Sequence, residues 1–252
     1  MSKELILNVD DLGLHPDTIT GIETLRARNR ISTVSVFSTS KILDDTLDSL
    51  KRIGVPIGVH LILDGDRPIL DAAKIPGLVD DNGFMLQDVR EIRKRAKPDE
   101  VFNEFSAQIE NIQKRGVVIS HLDSHRGLCY LFPKLWQVYR ELGRKYQVPL
   151  ALPKNFLFNK TRHQVPGSSD SLIGVYDLKR EETPENRLKA YDRMFSRLGN
   201  GKHYCFSHPS PPTRSIRECF GDFKIRTDDY ALFISPEWDE LLKKHEITLS
   251  SF

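Results

Sequence analysis

The amino-acid sequence predicts an α/β protein: a distorted βα barrel of the TIM-like kind, six or seven βα units forming a single domain over residues 1–252. Three observations lead there. Short apolar runs alternate with helical patterns along the whole chain, which argues for a parallel sheet. The first run, "LILNV", has the length and composition of a strand covered on both faces. Several runs end in carboxylates or histidines, and βα folds build their sites at strand ends. An open doubly wound sheet is the alternative that the same alternation allows.

The strand candidates are LILNVDD (5–11), STVSVFS (32–38), PIGVHLIL (56–63), VVISHLDS (117–124), PLALP (149–153), HYCFSHP (203–209) and ITLSSF (247–252). Helices are expected between them. Residues 18–29 carry Ile19, Ile22 and Leu25 on one face, with Asp17 placed to cap. Residues 41–53 carry Leu43, Leu47 and Leu50. Residues 99–115 carry Phe102, Phe105, Ile109 and Ile112, with Pro98 before and Gly116 after, the usual punctuation of a helix. Residues 134–146 carry Leu135, Val138, Tyr139 and Leu142, and 185–198 and 236–245 complete the set. Two stretches break the rhythm: 64–90, rich in Asp, Gly and Pro, and the polar 154–185. Both follow strand ends, so both are expected to be loops covering one mouth of the barrel.

Bulk composition narrows the function classes. An apolar fraction of 39% and a charged fraction of 29% describe a globular chain able to bury a sizeable core. A net charge of +2 gives no nucleic-acid footprint. Three dispersed cysteines with no CxxC argue for a reducing compartment. No signal-type segment and no run of 18 apolar residues occur, so a cytoplasmic protein without a membrane partner is expected.

Asp10 and Asp11 stand side by side where the first strand leaves the core. Neighbouring charges repel, and a buried carboxylate is costly unless paired or metal-bound. His60, His121, His125, His208 and Asp123 also fall in strand-end segments. Parallel strands would bring them to one face. One carboxylate and two histidines can hold a divalent ion and leave positions open for water and substrate. Such an ion lowers the pKa of its water, and a second carboxylate can then act as general base. Asp123 is a candidate partner for a ligating histidine, or could face the site directly. His125, at the end of its strand, has the best access to the mouth; His121 lies deeper and reads as structural.

The ordered set "NVDDLG", "GVHLIL", "SHLDSH" and "SHPS", with the ending "SPEWDELLKKHEITLSSF", resembles the YdjC-like family of carbohydrate (chitooligosaccharide) deacetylases over nearly the whole chain. That resemblance implies a metal-dependent hydrolase in a barrel related to polysaccharide deacetylases, removing N-acetyl groups from an amino sugar or oligosaccharide. It implies Asp11, His60 and His125 as metal residues, Asp10 as general base and His208 as the acid that protonates the leaving amine. By resemblance the ion is Mg2+; the ligand set itself suits Zn2+ or another transition ion. A homodimer is left open. Where many family members carry further histidines after this motif, this chain has Gly127 and Cys129, so its substrate pocket is expected to differ. Arg126 could meet substrate or lie in a solvated loop, and Tyr130 and Phe132 are placed to stack on a sugar ring.

Other readings stay in view: a phosphoesterase or other amidohydrolase, a non-haem iron oxygenase, or a sugar-binding barrel without catalysis. Trp136 and Tyr139 read as core, the charged run 90–95 as a solvated face, and the cysteines as buried thiols.

Overall fold

The structure is a computed structural model that describes residues 2–152, 169–175 and 183–252. In chain order it runs β1 (Lys3–Leu12), α1 (Asp17–Ala27), β2 (Thr33–Val36), α2 (Leu43–Ile53), β3 (Ile57–Leu61), α3 (Val89–Arg95), α4 (Pro98–Gln113) and β4 (Ile119–Ser124). There follow α5 (Leu128–Leu131), α6 (Pro133–Tyr146), β5 (Ser171–Ile173), α7 (Pro184–Phe195), β6 (Gly201–Ser207), α8 (Arg214–Cys219), α9 (Phe223–Phe233), α10 (Pro236–Lys244) and β7 (Ile247–Leu249). Every named strand pairing is parallel, in the order β4-β3-β2-β1-β6-β5. β7 pairs Lys3–Leu5 of β1, below the stretch where β2 pairs Asn8–Leu12.

The ladder continues past β4. Leu122 N donates to Pro149 O at 2.9 Å and Ala151 N to Leu122 O at 2.8 Å. Ser169 N then donates to Leu152 O at 2.8 Å, just ahead of β5. These bonds curl the parallel sheet round into a distorted barrel. The expected strand at 149–153 is reduced to this link: its one bridge is Leu122 to Leu150. Pro149 supplies no N–H to a ladder, and residue 153 lies outside the described residues. β5 instead arises inside 154–185, a stretch read as loop; its three residues carry too short an apolar run to stand out. The rest of that stretch is described only at 169–175 and 183–185.

Strand alternation sorts the side chains into two sets. Leu5, Leu7 and Val9 join the large core under the helices, with Ile22, Leu25, Leu47 and Leu50. Ile6, on the other face, packs with Tyr204 and Ala151 inside the barrel, where Leu172, Phe206 and Phe252 adjoin. Asn8 and Asp10 share Ile6's face, so above this apolar plug the interior turns polar. The helices at 18–29, 41–53, 99–115, 134–146, 185–198 and 236–245 form within a few residues of their expected bounds. The run 90–95 is α3, with Ile92 buried and its basic residues outward, as a solvated face requires. α8 and α9 were not foreseen. α9 buries Arg226, Asp228 and Asp229 as well as Ile225, Leu232 and Phe233, which hides its apolar stripe.

Candidate active site

The two aspartates face the same cavity because the strand breaks its own alternation. Asp10 points inward with Asn8. Asp11 would then point out toward the helices, but it takes φ 64°, the left-handed region. The β1–β2 register shifts between Val9 and Leu12 at the same place. This bulge turns Asp11 back into the cavity. Aspartate tolerates that conformation better than most residues, at a cost of about 1–3 kcal/mol. A similar device ends β4, where Arg126 (φ 53°) and Gly127 (φ 65°) are successive left-handed residues that reverse the chain after His125.

Asp11, His60 and His125 converge. Asp11 Oδ1 lies 3.3 Å from His60 Nε2 and 3.4 Å from His125 Nδ1, and the two ring nitrogens are 3.2 Å apart. Ligand atoms of the three all fall within 4.8 Å of one another. Asp11 Oδ1 is buried and accepts no hydrogen bond. A bare carboxylate oxygen facing two imidazole nitrogens is what a site for a divalent cation looks like before the ion is counted. Phe37 packs edge-on against both rings, at 4.9 Å from His60 and 5.0 Å from His125.

Asp123 sits beneath. Its Oδ1 meets His60 Nδ1 at 2.6 Å, which aims Nε2 of the ring at the cluster. Its Oδ2 accepts from Ser35 Oγ (2.7 Å), Tyr204 OH (3.0 Å) and Asn8 Nδ2 (3.4 Å). Asn8 Nδ2 also donates to Asp10 Oδ1 at 2.6 Å, and Thr33 Oγ1 donates to Asn8 Oδ1 at 2.6 Å. Sequence reasoning missed this polar floor of Asn8, Thr33 and Ser35. The signal was available: Asn8 and Asp10 on β1 and Thr33 and Ser35 on β2 are polar residues two apart, which marks one inward face.

Electrostatics follow from the crowding. Burial, then the neighbouring charge of Asp123, pushes the Asp10 carboxyl well above its usual range. Burial also raises Asp11, but the neighbouring imidazoles of His208, His125 and His60 outweigh it and hold Asp11 well below that range. Burial opposes charge on His60, yet Asp123 and Asp11 raise it well above an ordinary imidazole. The cavity, of about 640 Å3, is lined by Asp10, Asp11, Asp123 and Asp222 against Arg126 and Arg226, four carboxylates to two guanidiniums.

Sequence reasoning also missed Arg226. From α9 its Nη2 donates to Asp11 Oδ2 at 2.8 Å and its Nε to Asp222 Oδ1 at 2.8 Å. His208, just past the end of β6, brings Nε2 to 3.8 Å from Asp11 Oδ2. Burial lowers its imidazole to about 4. Arg126 reaches out along the rim and donates to Asp64 Oδ2 at 2.7 Å, so its charge is already engaged.

The aromatic candidates are corrected. Tyr130 borders the cavity, but it is buried, and its hydroxyl donates to Ala151 O at 2.7 Å, so it forms wall rather than a stacking platform. Phe132 lines a separate groove with Ile92 and Leu135. Trp136 and Tyr139 are core, as expected. His121 is structural: it is fully buried, stacks on Phe252 at 4.6 Å, and fits only because Gly58 has no Cβ to meet its ring. Gly127 lines the cavity, while the Cys129 thiol is buried and pushed up to about 12. Among the described residues no helix is long and apolar enough to cross a membrane.

A family model described as YdjC-like protein matches residues 4–244. A carbohydrate deacetylase of Enterococcus faecalis is 37% identical over 155 residues, 59% of this chain and 58% of that protein. The chain thus matches less than two thirds of that relative's length. A carbohydrate deacetylase of Vibrio cholerae is 24% identical over 255 residues, 99% of this chain and 95% of that protein. A solved Enterococcus faecalis structure, described as a candidate for cellobiose-phosphate cleavage, is 26% identical with a TM-score of 0.86, covering 100% of this chain and 98% of that one. A family 4 carbohydrate esterase from Streptomyces lividans shares the fold at 12% identity and a TM-score of 0.54, covering 98% and 91%.

Proposed function

The chain belongs to the YdjC-like family, and from that premise we propose that it is a metal-dependent hydrolase that removes an N-acetyl group from an amino sugar or oligosaccharide. The observation that carries this reading is the convergence of Asp11, His60 and His125 with Asp10 beside them. The relatives named carbohydrate deacetylases support the substrate class. Pairing of β7 with β1 supports treating residues 1–252 as one domain.

The donor set fits a divalent cation. It offers one bare carboxylate oxygen and two imidazole nitrogens, and four carboxylates crowd a cavity that holds two guanidiniums. Two nitrogens and one oxygen favour Zn2+ or another transition ion over Mg2+. Asp11, His60 and His125 would hold the cation, which, once bound, supplies Lewis-acid polarisation of the amide and a more acidic water.

The chain's own residues divide the remaining work. Asp10, hydrogen-bonded by Asn8 but outside the Asp11–His60–His125 group, takes the proton of the attacking water. Asp123 keeps His60 in one tautomer and orientation. His208 faces the cluster from the β6 side and passes a proton to the departing amine. An oxygenase built on the same ligand set would leave Asp10 without a role.

The test is acetate release from a panel of N-acetylated sugars by wild-type protein, Asp10→Asn and His125→Ala, with bound metal measured after purification without chelator. Loss of roughly 3 kcal/mol of transition-state stabilisation, about a hundredfold in rate, is expected for either variant. Wild-type turnover by either one removes its assigned role.

A further inference from the structure

Asp11 uses its two oxygens differently. Oδ1 is bare and faces His60 and His125, whereas Oδ2 accepts from Arg226 at 2.8 Å. The guanidinium that holds Oδ2 is itself held at several points. Its Nε donates to Asp222 Oδ1 at 2.8 Å, its plane lies 4.3 Å from the Phe220 ring centroid, and its backbone carbonyl accepts from Ser210 N at 3.0 Å. Its side chain is only 8% exposed. A planar fork fixed in this way fixes what it binds.

We infer that Arg226 is a positioning residue: it stops the Asp11 carboxylate from turning about its Cβ–Cγ bond, so that Oδ1 alone is offered to the cation and the place a second oxygen would take stays open for water or substrate. A charge-balancing role alone would need only a cation nearby. The geometry instead shows a bond to one chosen oxygen, with the partner guanidinium tied down by Asp222 on the far side. Lysine keeps the charge but lacks the fork, so it separates the two roles. The inference rests on the metal-dependent reading above.

The experiment loads wild-type protein, Arg226→Lys and Arg226→Met with Co2+ and records the visible spectrum, whose intensity falls as coordination number rises. Both variants are expected to absorb more weakly than wild type, because Asp11 then closes on the ion through both oxygens. With the native metal their kcat is expected to fall about 10- to 100-fold while KM stays near the wild-type value. A wild-type spectrum in both variants overturns the positioning role, as does full activity in Arg226→Lys. Absence of any cobalt band in the wild-type protein overturns the metal reading instead, and this inference with it. Asp222→Asn provides the same test without altering Arg226, should the direct variants not fold: it loosens the guanidinium and is expected to weaken the spectrum in the same direction.

Discussion

Helix α9 takes part in two buried arginine–aspartate pairs, and they are built for opposite ends. Its Asp229 accepts from Arg187 Nε at 2.8 Å and from Nη2 at 2.5 Å, with Tyr191 OH adding a bond at 3.2 Å. Arg187 Nη2 also reaches Val175 O at 2.7 Å. Both side chains are 2% exposed or less, and one acid meets one base. Three residues earlier on the same helix, Arg226 pairs with Asp11. There the guanidinium is shared with Asp222, and one oxygen of Asp11 is left bare. The first pair gathers three donors on one oxygen, Asp229 Oδ1, and ties α7 to α9. The second holds its carboxylate in place while leaving half of it for something else. Burial alone therefore does not mark a site; a bare carboxylate oxygen facing two imidazole nitrogens does.

The largest effect is expected at the Arg187–Asp229 pair. Arg187→Leu leaves Asp229 buried without its cation and is expected to cost about 3–5 kcal/mol of stability, read from urea unfolding. Replacing both residues with leucine should recover much of that loss. A single variant as stable as the wild type would show that the pair is not what secures α7. At the open pair the balance reverses. Asp11→Asn relieves crowding among carboxylates, so in chelator its urea midpoint should move far less than that of Arg187→Leu. Its acetate release should fall at least about a hundredfold. Equal damage to stability at both pairs would erase the distinction.

Adding a cation sharpens it. At about a hundred times its dissociation constant, Zn2+ is expected to stabilise the wild-type protein by about 2.7 kcal/mol in calorimetry or denaturant titration. His125→Ala should gain little, and Arg187→Leu should gain as much as the wild type. The smallest effect is a control away from both pairs. Asp17 on α1 accepts from Thr213 and Ser215 at the start of α8, and these hydroxyl bonds hold its carboxyl below the usual value. A lowered folded-state value means that the stabilisation is present above the unfolded pKa, about 4, and fades as pH falls through the folded one. Asp17→Asn should therefore cost under about 1 kcal/mol near neutrality, and the difference from wild type should shrink in acid.

Much of the site was legible because strand ends carry their chemistry in short motifs. Asp11, His60 and His125 lie next to apolar runs that can only be buried strands, and a parallel barrel brings such ends together whatever their separation in sequence. What stayed hidden came from elements without a clean period. Arg226 sits on a helix whose buried face is half charged, so no stripe announced the helix or its inward arginine. The wall role of Tyr130 depends on a carbonyl 21 residues away, and the closing link at 149–152 on a proline that accepts a ladder bond but has no N–H to donate one. The adjacent aspartates raised the right question, but its answer, a left-handed residue at a register shift, is backbone geometry that composition does not encode.

The pairing of β1 bears on how the protein comes into being. β1 finds its partners β6 and β7 far along the chain; the bond from Ser207 Oγ to Asn8 O spans 199 residues. During synthesis the segment holding Asp10 and Asp11 therefore waits with one edge unsatisfied, and such long-range pairing slows folding. A nascent chain halted before residue 201 would lack every residue of β6, so the cavity that Asp10 and Asp11 line closes only after that strand has been made.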